Sequence, residues 1–267
     1  MFGFLKERRR ERLRARPFSP AWRRVLEKKF PLYRRLPESD RRELECHIQV
    51  FLAEKRFEGC GGFKITDEVR ALIAAQACLL LLHRETDYYP SLRSILVYPD
   101  TFVIKTKRRE EDELADRHVR SRLGESGNGA VVLSWSATLA GAAEPADGLN
   151  LVFHEFAHQL DEEDGAVDGA PLLAADGIRQ RHSRYLVWAR VLRAEYERLR
   201  KDREAGRETV LDEYGAANPA EFFAVATECF FEKPHQLRKK HPELYDELKQ
   251  FYRQDPVTFA LPASPER

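Results

Sequence analysis

Residues 149–161, LNLVFHEFAHQLD, hold the densest chemical signal in the chain. A helix turns about 100° per residue, so His154 and His158 come within about 40° of each other on one face. Two imidazoles placed in this way can grip one metal ion. Leu149, Val152, Phe153, Phe156 and Leu160 gather on the opposite face, so the helix can bury one side and present the histidines to a cleft. With 8 histidines in 267 residues, H-E-x-x-H is expected by chance only about 0.03 times in such a chain. Coincidence is a poor account of it.

A hydrolytic zinc site takes three protein ligands and a water, so one more donor must come from elsewhere. Glu221 is the leading candidate. In residues 218–228, NPAEFFAVATE, Asn218 suits a helix cap and Pro219 the first turn, while Phe222, Phe223, Ala226 and Phe230 supply a broad apolar surface. Asn218 followed three residues later by Glu221 is equally a capping box that needs no metal. Spacing alone leaves the two readings level. Asp161 and Glu228 are rival ligands, or carboxylates that orient a histidine through its other ring nitrogen.

Composition sets the frame for this site. The 45 basic and 44 acidic side chains nearly cancel, so no global field draws the chain towards nucleic acid or an acidic membrane. Cys46, Cys60, Cys78 and Cys229 form no C-x-x-C pair and are too few to staple a chain of this size, which fits a reducing compartment. The longest apolar run, Ala71 to Leu82, falls short of the roughly 20 residues of a membrane span. It is expected to be a buried helix. Phe2 to Leu5 gives way at once to charge, unlike a secretory signal. The expected location is cytoplasmic.

Along the chain, residues 6–16 carry seven Lys or Arg against two Glu, and 1–19 is read as a basic amino-terminal segment ahead of one domain over 20–267. Without interleaved aromatics the basic tract is not read as a nucleic-acid contact. Pro20 to His83 is helical in pattern, with Thr66 opening a new helix and Glu58 to Gly62 as punctuation. Ile95 to Tyr98 and Phe102 to Ile104 read as strands, as does Ala130 to Leu139, whose edge could hold a peptide by main-chain pairing. Leu149 to Asp161, Arg179 to Glu204 and Pro219 to Phe231 read as helices, followed by shorter ones. The fold class expected is α+β, mostly helical, with a small sheet.

HEFAHQLD at 154–161, followed by DEYGAANPAEFFAV at 212–225, resembles the Mlc titration factor A family of zinc metallopeptidases. The second block also resembles the corresponding part of anthrax lethal factor. The family likeness extends to ILVYP at 95–99, VVLSW at 131–135 and FYRQDP at 251–256, and the basic amino terminus lacks an obvious counterpart. The resemblance implies a zincin-like domain holding one zinc ion through His154, His158 and Glu221, with Glu155 as the catalytic base. It also points to Tyr214 as an active-site residue, where spacing alone would suggest a packed aromatic. Thermolysin-like enzymes place an aspartate four residues after their ligand glutamate; this chain has Val225 there, so support for a histidine must be built differently. The activity expected is aminopeptidase-type cleavage of a peptide or protein substrate, with coupling to the binding of a transcriptional repressor as a further expectation from the resemblance. The alternative is a regulator that sequesters a repressor without catalysis, with zinc serving structure or regulation.

Overall fold

The computed structural model describes residues 2–100, 129–174 and 178–259. The expected strand Phe102 to Ile104 lies outside them. Two compact units emerge, one drawn from Met1–Leu82, Leu92–Glu144 and Phe259–Arg267, the other from His83–Ser91 and Pro145–Thr258.

The first unit opens with helices α1 (Phe2–Arg14), α2 (Pro20–Lys29), α3 (Pro31–Arg35) and α4 (Glu38–Glu54). The basic tract is α1, and its Arg10 is buried against α4, where it forks onto both oxygens of Glu54 at 2.8 Å. Strand β1 (Arg56–Gly59) follows, where the sequence pattern predicts only a break. Helix α5 (Asp67–Leu79) begins at Thr66, whose hydroxyl accepts the Val69 N–H, and every residue from Ala71 to Leu79 is buried. The expected buried helix thus ends at Leu79 rather than Leu82.

Strands β2 (Ser94–Tyr98) and β3 (Ala130–Ser134) complete a parallel sheet in the order β1-β2-β3, with Phe57 opposite Ile95 and Ile95 opposite Val131. The strand expected over Ala130 to Leu139 stops at Ser134. There the Ser134 hydroxyl accepts the Ala137 N–H and starts helix α6 (Trp135–Ala143), so the second half of that run, Trp135 to Leu139, is helix.

The second unit is helical among its described residues: α7 (Leu151–Asp161), α8 (Ile178–Glu204), a 3-10 turn at Glu213–Ala216, α9 (Pro219–Glu232), α10 (Pro234–Lys240) and α11 (Pro242–Tyr252). Helix α9 is its axis, buried at every position from Phe222 to Glu232 and packed by α7, α8, α10 and α11. Trp188, Phe223 and Phe251 meet ring to ring at 5.5–5.8 Å, and Phe230 and Phe231 close on Tyr252. The segment His83–Ser91 joins this unit through Tyr89, whose ring lies 4.8 Å from that of Phe156, and Arg84, whose guanidinium sits 4.0 Å over Phe251. A mostly helical α+β chain with a small sheet is therefore what the residues build. No helix among those described is long and apolar enough to cross a membrane.

Candidate metal centre

Helix α7 is launched by Asn150, whose side-chain oxygen accepts the Phe153 N–H at 3.0 Å. Val152, Phe153, Phe156 and Leu160 are buried, which fixes the rotation of the helix and turns His154 and His158 to the same side, their ring centroids 4.9 Å apart. Helix α9 starts in the same manner, with Asn218 accepting the Glu221 N–H at 3.0 Å. Here the capping reading and the ligand reading separate. The backbone of Glu221 serves the cap, while its carboxylate turns to the histidines.

One oxygen, Glu221 Oε2, lies 3.0 Å from His154 Nε2 and 3.4 Å from His158 Nε2. All three donor atoms fall within 4.8 Å of one another. Ligands about 2.1 Å from a tetrahedral zinc stand about 3.4 Å apart, so this spacing fits such an ion, and two imidazoles with a carboxylate are a donor set that suits it.

Electrostatics tell the same story. Burial alone would push His154 down, yet its hydrogen bonds to Glu221 and Glu228 and the charge of the surrounding carboxylates raise its pKa to about 10. Burial would likewise raise Glu221, but the two histidines outweigh it and hold its carboxyl well below the usual range. The pocket of acids favours positive charge at the imidazole nitrogens. Glu155 is shifted upward, chiefly by burial, against the pull of His154 and His158.

Glu228 is the carboxylate that orients a histidine. Its Oε1 lies 2.8 Å from His154 Nδ1, while Oε2 accepts the Asn150 N–H, tying the ring to the cap of its own helix. Glu221 and Glu228 are seven residues apart and so share a face of α9. This supplies the support that Val225, in the thermolysin-like position, does not. One turn on, Glu232 accepts from Gly148 N and Asn150 Nδ2 at 3.0 and 3.1 Å. Sequence reasoning passed over Asn150 and Glu232; the spacing 221, 228, 232 along α9 was the available signal.

Tyr214 lies in the 3-10 turn, its ring centroid 5.9 Å from that of His154. Gly215 makes this approach possible, since a Cβ there would come within 3.1 Å of Leu199 and 3.3 Å of Val225. Asp161 is fully buried at the end of α7 and accepts the Gly169 N–H at 2.8 Å. It does not join the cluster of His154, His158 and Glu221.

Residues 4–253 match the family described as glucose-regulated metallo-peptidase M90, so the likeness includes the basic helix α1, contrary to the reading from residues alone. An uncharacterized protein of Synechocystis sp. is 41% identical over 251 residues, covering 93% of this chain and 89% of that protein. Mlc titration factor A of Escherichia coli is 30% identical over 235 residues, covering 85% and 84%, and the protein of that name from Shigella flexneri matches at the same level. Such membership implies a metal cofactor and a metallopeptidase type of function. The chain belongs to the glucose-regulated metallo-peptidase M90 family.

Proposed function

We propose that this chain is a zinc-dependent peptidase that holds one zinc ion through His154, His158 and Glu221 and hydrolyses peptide bonds, trimming amino termini. The observation that carries this reading is the meeting of two imidazole nitrogens and one carboxylate oxygen beside a half-buried glutamate on the same helix.

When bound, the metal supplies Lewis-acid polarisation of the scissile carbonyl and acidifies water. Glu155, whose pKa burial raises against the pull of the two histidines, takes a proton from the attacking water. The water oxygen joins the carbonyl carbon, the C–N bond breaks, and Glu155 passes the proton to the leaving amine. Glu228 accepts the hydrogen bond from His154 Nδ1–H, which leaves Nε2 as the unprotonated atom that would hold the ion. The Tyr214 hydroxyl donates to the oxyanion as it forms.

In this proposal one metallopeptidase domain over 20–267 works in the cytoplasm; a family match over residues 4–253, which spans residues in both units, supports a single domain. The relatives named Mlc titration factor A also support a second role, binding a transcriptional repressor; in the alternative, that is the only role and zinc is structural or regulatory. The test is cleavage of a mixed peptide library, read by mass spectrometry, with zinc-loaded wild type and Glu155→Gln. Products from wild type alone, each shortened from its amino end, are the expected result. Internal cuts would make the chain an endopeptidase, and no cleavage by either protein would leave the repressor-binding reading in its place.

A further inference from the structure

Helix α7 carries two histidines, and only one has its second ring nitrogen matched to a carboxylate. His158 Nδ1 is buried and meets no hydrogen-bond partner among the described residues. One turn further on, Asp161 Oδ1 is also buried and also without a partner. Positions 158 and 161 are 60° apart around the helix, a spacing at which side chains can touch. Buried polar atoms are almost always hydrogen-bonded, so two orphans on one turn call for an explanation.

We infer that Asp161 is a positioning residue for His158: the two orphaned atoms are not bonded to each other in this structure, and with the metal bound Oδ1 accepts the Nδ1–H, so that Nε2 is presented as a ligand atom. This rests on the metal-site reading above. Asp161 would do for the second histidine what Glu228 does for the first.

The surroundings of Asp161 suit a fixed acceptor. Its Oδ2 is held by the Gly169 N–H, and the Gly169 carbonyl accepts from the buried Trp188 Nε1 at 3.0 Å. Gly169 sits at φ +81°, and a Cβ there would stand 2.5 Å from the Pro219 carbonyl oxygen. The loop that grips Asp161 therefore lies directly on the first residue of α9, two before Glu221. Through Gly169, Asp161 ties the end of the histidine helix to the start of the glutamate helix.

Asp161→Asn separates positioning from scaffolding. The carboxamide oxygen can keep the Gly169 bond, which turns the NH2 group towards His158. That group needs an acceptor at Nδ1, which moves the ring proton to Nε2, the atom the metal requires. Zinc affinity, measured by chelator competition, is expected to fall 10–100-fold, with an altered visible spectrum of the cobalt(II) form and no loss in the melting temperature of the metal-free protein. An affinity within twofold of wild type, with the cobalt spectrum unchanged, overturns the inference. So does a metal-free melting temperature that drops together with the affinity, which would make Asp161 part of the scaffold only. Wild type that takes up no zinc is a different failure, and it removes the peptidase reading itself.

Discussion

The two units bury carboxylates in opposite company. In the first, Glu45 receives both arms of Arg23 at 2.8 Å and the Tyr33 hydroxyl at 2.7 Å, and Glu54 receives both arms of Arg10. Each acid is closed by a guanidinium, the geometry that best offsets the loss of water. In the second, Glu228, Glu232 and Asp161 are each at most 4% exposed. Their hydrogen-bond donors are backbone N–H groups, Asn150 and an imidazole. The first unit thus closes its buried acids with guanidinium groups, whereas in the second Glu228 and Glu221 close on two histidines, an arrangement that suits a cation. Polar burial in one unit serves the fold, and in the other it serves the site.

The largest expected effect tests the site end of that contrast. Glu155→Gln should lower turnover by about 10²–10⁴-fold, the usual worth of a positioned proton carrier, while zinc content by atomic absorption stays that of wild type. Near-normal turnover with zinc bound would remove Glu155 as the base. Next, Glu228→Gln should weaken zinc binding about 10–100-fold, since His154 loses the acceptor that fixes its tautomer. Unchanged affinity would mean that the carboxylate serves packing alone.

The matching test in the first unit is Arg10→Met. It leaves Glu54 partly buried without its guanidinium; burial pushes the Glu54 pKa up, but the hydrogen bonds and charge of Arg10, with Lys6 and Lys55, together hold it below its usual range. A cost of about 2 kcal/mol is expected from denaturant unfolding, lower than for a fully buried pair because Glu54 keeps some contact with water. A carboxylate with a depressed pKa stabilises the fold above its unfolded pKa and loses that contribution as pH falls, so the gap between variant and wild type should narrow in acid. Zinc affinity should not change. A variant that lost zinc affinity would break the division between the two kinds of buried acid.

Legibility in the sequence followed the range of the interactions involved. Helices α7 and α9 could be read because Asn218, Pro219 and the apolar spacing around the phenylalanines are local signals of start and face. Glu221 stayed ambiguous because a capping box and a metal ligand ask for the same residue at the same place; in the structure its backbone N–H serves the cap while its carboxylate lies beside the histidines. Strand β1 was missed because Arg56–Gly59 is mostly exposed and has only Phe57 as an apolar mark, so its pairing with β2 leaves no periodic trace. Helix α6 was absorbed into the preceding strand because no glycine or proline separates Ser134 from Trp135. The bonds from Glu232 to Gly148 and Asn150 join residues more than 80 positions apart, beyond what any spacing rule reaches.

The smallest effect sharpens the comparison most finely, because it makes a buried acid of the second unit a cost in the absence of metal and a gain in its presence. Burial first, and the nearby Asp168, push Asp161 up to about 6, against the downward pull of the Gly169 N–H. A carboxyl whose folded pKa lies above its unfolded value of about 3.9 contributes stability below that value and loses it as pH rises through 6. Above pH 6, metal-free wild type therefore carries a penalty that Asp161→Asn lacks. The full shift would correspond to about 3 kcal/mol, and solvent screening and relaxation reduce the expectation to about 1 kcal/mol. Melting curves of the metal-free proteins should place the variant above wild type at pH 7.5 and beside it at pH 4. Saturating zinc should reverse the order at pH 7.5, because the form that binds the ion more tightly gains more stability from it. A variant that is less stable than metal-free wild type at pH 7.5 would show that Asp161, like Glu54 in the first unit, has its charge balanced within the fold.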